Sequence, residues 1–229
     1  MSELTPGFKY IDVHTHALTH DPNIREIEVL DARMPPGFGI GHGLFCYGLH
    51  PWHIDEVDEK NYFETLKGHL QSQKFFALGE IGVDRSRPKN LENQLRLFNK
   101  QLAFAERFKI RRLVIHAVRA YSDIIGPLKE LSHKPAVILH DYNGNMETAN
   151  QFLDSINCYF SFGSRLFNLD AKGTKAFQAI SLDKIFLETD DQYDKTIMDI
   201  YQQAADIKKE PLNSLASQIQ SNFQSLLAS

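Results

Sequence analysis

The segment Asp12-Val-His14-Thr-His16 sets an acid and two imidazoles at a period of two, so on an extended strand all three side chains leave the same face. Two imidazoles on one face can ligate one metal ion. Further along, FFALGEIG brings Glu80 to the end of an apolar run between Gly79 and Gly82, and a carboxylate there needs a partner. LVIH ends in His116, AVILH ends in His140, and IFLETD delivers Asp190 just beyond Glu188. Imidazole nitrogens with carboxylate oxygens suit Zn, Mn, Fe or Mg, and the two oxygens of Glu80 can bridge a pair of such ions. The chemistry expected is hydrolysis: divalent ions lower the pKa of a water to make hydroxide at neutral pH and clamp a phosphoryl or carbonyl oxygen. Asp190 then takes the proton, and Asp12, facing the same way, orients a ligating histidine.

These residues act together only if the strands that carry them end at one place. Short apolar runs recur at Tyr10–His14, Leu44–Leu49, Phe75–Glu80, Arg112–His116, Ala136–His140, Cys158–Phe162 and Ile185–Glu188, with a weaker one at Ile24–Leu30. Helical spacing falls between them. The clearest case is Leu91–Phe108, where Leu91, Leu95, Phe98, Leu102 and Ala105 share one face. Others are expected at Asn61–Gln73, Tyr121–Leu131, Met146–Leu153, Gly173–Ile180 and Tyr193–Ile207, and a last one opens after Pro211. This alternation predicts βαβ units and an α/β fold, a distorted TIM-type (β/α) barrel spanning residues 1–229 as a single domain. In such a barrel sites form at the C-terminal ends of the strands, where the six ligand-type residues converge. The stretch Ala32–Gly43, ARMPPGFGIGHG, cannot hold a helix, so the first β/α unit is expected to be abbreviated, with a hairpin or loop in its place.

Composition narrows the partners. Of 229 residues, 42% are apolar and 24% charged, and 25 Lys and Arg against 29 Asp and Glu give a net charge of −4, which excludes a basic protein that coats nucleic acid. Two cysteines, Cys46 and Cys158, in apolar runs read as buried free thiols rather than a disulfide framework or a Cys-rich zinc site. No run of ~18 apolar residues and no basic-then-apolar leader is present, so a soluble, cytoplasmic protein without membrane attachment is expected. His50 and His53, in Gly-Leu-His-Pro-Trp-His, follow a strand and face the cleft; Trp52 either stacks on a base or fixes that loop. Asp84 either bonds substrate or caps its loop, and Arg85, Arg87 and Lys89 behind it form a short basic run near the mouth. His20, His42, His69 and His133 are assigned to loops and helix surfaces.

The ordered set Asp12-x-His14-x-His16, Gly48-Leu-His50-Pro51, Gly79-Glu80-Ile-Gly82-Val-Asp84, His116, His140 with Gly144, and Glu188-Thr-Asp190 resembles the TatD-related hydrolases over almost the whole chain, as far as Asn222-Phe223. These are metal-dependent deoxyribonucleases of the amidohydrolase superfamily. The resemblance implies a two-metal centre of Mg, Mn or Zn, with His14, His16 and Asp190 on one ion, His116 and His140 on the other, and Glu80 on both. The chain departs from the family pattern after His116, where Arg119 stands three residues on rather than two, in the Asp-Tyr-Asn-Gly that follows His140, and in Asp191-Gln192 after Asp190.

The expected activity is a deoxyribonuclease that cuts phosphodiesters, with Asp190 as proton acceptor, Glu80 as bridge, and His50, Arg85 and Arg119 as substrate contacts. A net charge of −4 favours short or single-stranded DNA ends over a long duplex track. No obligate protein partner is implied. Two rivals share the residues: a hydrolase of a small phosphate ester or of a C–N or C–O bond, and a metal-binding module without activity.

Overall fold

The computed structural model of the chain describes residues 7–34, 43–191 and 194–228. Eight strands lie side by side in sequence order and every neighbouring pair is parallel: β1 Tyr10–Thr15, β2 Ile24–Asp31, β3 Leu44–Gly48, β4 Phe75–Asp84, β5 Arg112–Val118, β6 Ala136–Leu139, β7 Cys158–Phe162 and β8 Ile185–Leu187. A bridge between Thr15 and Asp190 joins the last segment to the first, with Asp190 N–H donating to the His14 carbonyl at 2.9 Å and His16 N–H to the Asp190 carbonyl at 3.1 Å. The sheet is thus a nearly closed barrel. Its strands are buried almost throughout, as expected of a parallel sheet covered on both faces.

The helices are α1 Glu59–His69, α2 Leu91–Phe108, α3 Tyr121–Glu130, α4 Met146–Leu153, α5 Ala171–Ala179, α6 Ile197–Lys208 and α7 Leu212–Ala228. Their starts are set by side-chain caps: Asp58 accepts from Asn61 N–H, Asn145 from Thr148 N–H and Asp170 from Gly173 N–H, while Thr196 and Asp199 cap each other reciprocally. The stripe Leu97, Phe98, Leu102 and Ala105 of α2 is buried on the sheet. Helix α7 packs beside β1 and β8, and Asn222 donates to the carbonyls of Leu182 and Ile185 at 2.7 and 2.9 Å. Three helices shift: α1 spans Glu59–His69 rather than Asn61–Gln73, α5 starts before Gly173, at Ala171, and α6 starts at Ile197, because their caps are Asp58, Asp170 and Thr196.

The abbreviated start is present, and of the hairpin or loop expected there it takes the form of a loop. β1 and β2 are parallel, so the chain returns along β1 rather than turning back beside it. Residues 16–23 reach at most about 26 Å when extended, little more than the roughly 20 Å length of the six-residue β1. A helix, at about 1.5 Å per residue, could not make that return. Of the Ala32–Gly43 stretch, residues 35–42 lie outside the described residues, as does His42. Glu26, buried on β2, replaces what a helix would have supplied: its carboxylate accepts from Thr19 N–H and Oγ1, both at 2.7 Å, and from His20 N–H at 3.2 Å. Glu26→Ala leaves those donors without an acceptor and is expected to cost about 1–3 kcal/mol, read as a lower urea midpoint with unchanged slope; a loss below about 0.5 kcal/mol would remove Glu26 as the pin of this loop.

Candidate metal centre

Each strand delivers its residue from a different height. Glu80 and His116 do not end their strands: β4 runs on to Asp84 and β5 to Val118, whereas His140 follows the last residue of β6. They still meet because β4 is shifted in register against both neighbours. Three glycines permit the close approach. A Cβ on Gly48 would stand 2.7 Å from the Gly79 backbone, one on Gly79 would stand 2.8 Å from the Val114 carbonyl oxygen, and one on Gly82, whose φ is +154°, would stand 1.9 Å from the His116 carbonyl oxygen.

Glu80 lies at the centre, 5% exposed. Its Oε1 is 2.7 Å from His116 Nδ1, 2.7 Å from His140 Nε2 and 3.1 Å from His50 Nε2. Its Oε2 faces His14 Nε2 at 3.5 Å and His16 Nε2 at 3.9 Å, and those two nitrogens lie 3.3 and 3.6 Å from Asp190 Oδ1. The rings of His14 and His140 stack 4.3 Å apart. All six residues with metal-ligand chemistry therefore meet at the C-terminal mouth of the barrel, and His50 joins them.

Burial opposes the charge on Glu80, but the surrounding histidines, His140 and His50 foremost, hold its carboxyl well below the usual carboxylate range. Burial and His140 likewise disfavour charge on His14, yet the carboxylates of Asp190 and Glu80 that face its Nε2 push it up to about 9. Burial raises Asp190, and His14 more than offsets this, bringing it to about 2. His50 is different. Its Nδ1 accepts from Trp52 N–H at 3.1 Å, so the proton sits on Nε2 and is donated to Glu80, and burial keeps the ring below the ordinary histidine value.

The fit to a metal shows in the atoms without partners. Among the described residues both ring nitrogens of His14, Nε2 of His116, Nδ1 of His140 and Oε2 of Glu188 are buried with no hydrogen bond. Orphaned polar atoms of this kind in one cluster are costly unless a ligand takes them. Three groups have ligand atoms close enough to hold an ion: His14, His16 and Asp190; His50, Glu80 and His116; His14, His140 and Glu188.

Other candidates lie elsewhere. The Asp12 carboxylate is taken by Thr189, accepting from its N–H at 3.0 Å and its Oγ1 at 2.6 Å, and so holds the residue before Asp190 rather than an imidazole. Burial pushes Asp12 up to about 7. Asp84 accepts from Trp52 Nε1 at 2.6 Å and from Ser86, which both fixes the Trp52 loop and caps its own. Arg85 is held by Asp123 through Nε and a terminal amino group at 2.6 and 2.7 Å, and neither it nor Arg119, at φ 53°, lines the two cavities at the mouth. His69 is buried against Tyr47 and Phe45, and His133 bonds Glu106 and the Ile110 carbonyl. Sequence reasoning passed over Glu188. It is fully buried, 3.5 Å from His140 Nδ1, and its Oε1 accepts from Asp141 N–H at 2.6 Å. The signal was available, since Glu188, like Glu80, is an acid at the end of an apolar run.

Residues 40–228 match the model of the family described as TatD related DNase. An uncharacterized metal-dependent hydrolase of Buchnera aphidicola subsp. Baizongia pistaciae is 30% identical over 153 residues, 66% of this chain and 56% of that protein, so the chain spans little more than half of that relative. One from Haemophilus influenzae is 28% identical over 202 residues, 83% of this chain and 73% of the other. Among solved structures, the TatD homolog YJJV from Escherichia coli K12 superposes with a TM-score of 0.78 at 18% identity, covering 95% of this chain and 97% of its own. A TatD family hydrolase from Entamoeba histolytica gives 0.76 at 16% identity, with 97% and 99% covered. With the family model matched over most of its length, and with the barrel shared by these structures, the chain belongs to the TatD related DNase family.

Proposed function

We propose that this chain is a metal-dependent hydrolase that cuts phosphodiester bonds, with short or single-stranded DNA as substrate, in the cytoplasm, where its two buried free cysteines stay reduced. The observation that carries the reading is the cluster itself: His14, His16, His116, His140, Glu80 and Asp190 gathered around one point, with buried ring nitrogens that make no hydrogen bond. His14, His16 and Asp190 would hold one divalent ion, Mg, Mn or Zn, His116 and His140 a second, and Glu80 both. Bound there, the ions supply an acidified water and charge for a phosphoryl oxygen.

The protein's own groups do the remainder. Asp190, 23% exposed at its side chain, is the acid in the cluster that opens to the cleft, and ionised it can take the proton from the attacking water. Asp12, through Thr189, holds the backbone that aims it. Glu80 stays ionised and keeps five imidazoles turned toward it. His50 donates from Nε2 at the edge of the centre and shares that edge with Trp52. A small phosphate ester is the second substrate reading, favoured by the size of the cavity above the centre, about 510 Å³. The same centre would serve a C–N or C–O bond, so the reaction is assigned by assay.

Two outcomes test this. Glu80→Gln and Asp190→Asn are each expected to lower turnover of single-stranded DNA by about 10²–10⁴-fold with the protein still folded; turnover within threefold of the parent for either would sink the mechanism. Stripping with a chelator should lower Tm, and Mn²⁺ or Zn²⁺ should restore it, because a ligand at 100 times its Kd stabilises by about 2.7 kcal/mol. A Tm indifferent to chelator and to added metal would contradict a metal centre at these residues.

A further inference from the structure

Two cavities open at the mouth of the barrel, of about 510 and 600 Å³, and Asp141, Arg165 and Asp190 border both. The first is walled partly by Trp52, Leu49 and Val118, the second by polar groups including Asn143, Ser164 and Asn168. Acids dominate the rim of this joined cleft: Asp31, Glu80, Asp141, Asp190 and Asp191 border the first cavity, Asp170 and Glu188 the second. A substrate phosphate entering such a cleft meets repulsion unless a cation is in place.

Among the described lining residues the arginines are Arg33 and Arg165. Arg33 is spent: Nε and one terminal amino group bind Asp31 and the other reaches Glu56 at 3.3 Å. Arg165 is engaged by one edge alone. Its Nε lies 2.7 and 2.6 Å from the two oxygens of Asp141, both terminal amino groups are without a hydrogen-bond partner among the described residues, and the side chain is 52% exposed. Its position is fixed relative to the centre, because Asp141 directly follows His140 and donates its backbone N–H to Glu188. A guanidinium can keep one carboxylate on Nε while its amino groups grip a second anion.

We propose that Arg165 is the cation that grips the substrate's phosphate beside the metal centre, in place of Arg85 or Arg119. This rests on the phosphodiester reading of the site. A phosphodiester strand crossing from one cavity to the other passes Arg165 where it passes Asp190, so one contact sets both affinity and register.

The test is a titration of the metal-loaded protein with inorganic phosphate, followed by the fluorescence of Trp52, the chain's single tryptophan, which is 40% exposed and lines the first cavity. The parent, Arg165→Gln, Arg165→Lys and Arg85→Gln are compared, with KM and kcat for single-stranded DNA measured beside them. Arg165→Gln is expected to weaken phosphate binding about 10- to 100-fold and to raise KM more than it lowers kcat, with Arg165→Lys between it and the parent because charge is kept and the fork is lost. Phosphate affinity within twofold of the parent in Arg165→Gln, an equal loss in Arg85→Gln, or no phosphate binding by the parent overturns the assignment. Phosphate binding that depends on Arg165 in a protein that cuts no DNA upholds the assignment and removes the phosphodiester reading instead.

Discussion

A negative charge sits in the middle of the barrel mouth, and the surrounding structure is arranged to keep it. Glu80 is buried in a sheet whose neighbouring positions are apolar, a placement that would cost several kcal/mol if the carboxylate were alone. Five imidazoles, carried on or just after three strands and on one loop, turn toward it, with His14 and His16 shared between Glu80 and Asp190. Neither party is stable without the other, because His14, His116 and His140 are also buried and carry ring nitrogens with no hydrogen bond. The glycines at 48, 79 and 82 belong to the same constraint. They bring β3, β4 and β5 close enough for the acid to reach its bases.

Much of this was legible in the sequence because a parallel barrel turns a one-dimensional rule into a three-dimensional one. Ligand-type residues at the ends of apolar runs lie at the same mouth whatever their separation, so His14, His116, His140 and Asp190 could be grouped before any contact was known. The runs of β5 and β6 needed only their apolar character, and α2 needed only its stripe. What escaped was set by pairings between distant residues. That β1 and β2 run parallel depends on a loop pinned by Glu26, and composition says only that no helix fits there. Asp12 faces inward as its spacing requires, but its partner is Thr189, a choice made by how the barrel closes. Arg85 looked free in a basic run and is occupied by Asp123 of α3.

The walls of the cleft divide the labour differently from its floor. The floor is fixed by strands and buried charge. The walls are loops tied by single polar contacts: Trp52 to Asp84, Asp141 to Glu188, Arg165 to Asp141. Of the departures of this chain from the family pattern, Asp141 to Gly144 and Asp191 fall on these walls, whereas Arg119 lines neither cavity. Substrate choice is therefore written in segments that carry little of the fold's stability.

The seam where the barrel closes joins residues from opposite ends of the chain. Ile11 exchanges hydrogen bonds with the Tyr201 hydroxyl across 190 positions, and Asp12 reaches Thr189 across 177. His14 and His16 are synthesised well before Asp190, which completes their group. A partly synthesised chain thus exposes imidazoles that can bind an ion loosely but lacks the acid assigned to accept the proton. The topology itself keeps this group incomplete until Asp190 has been made.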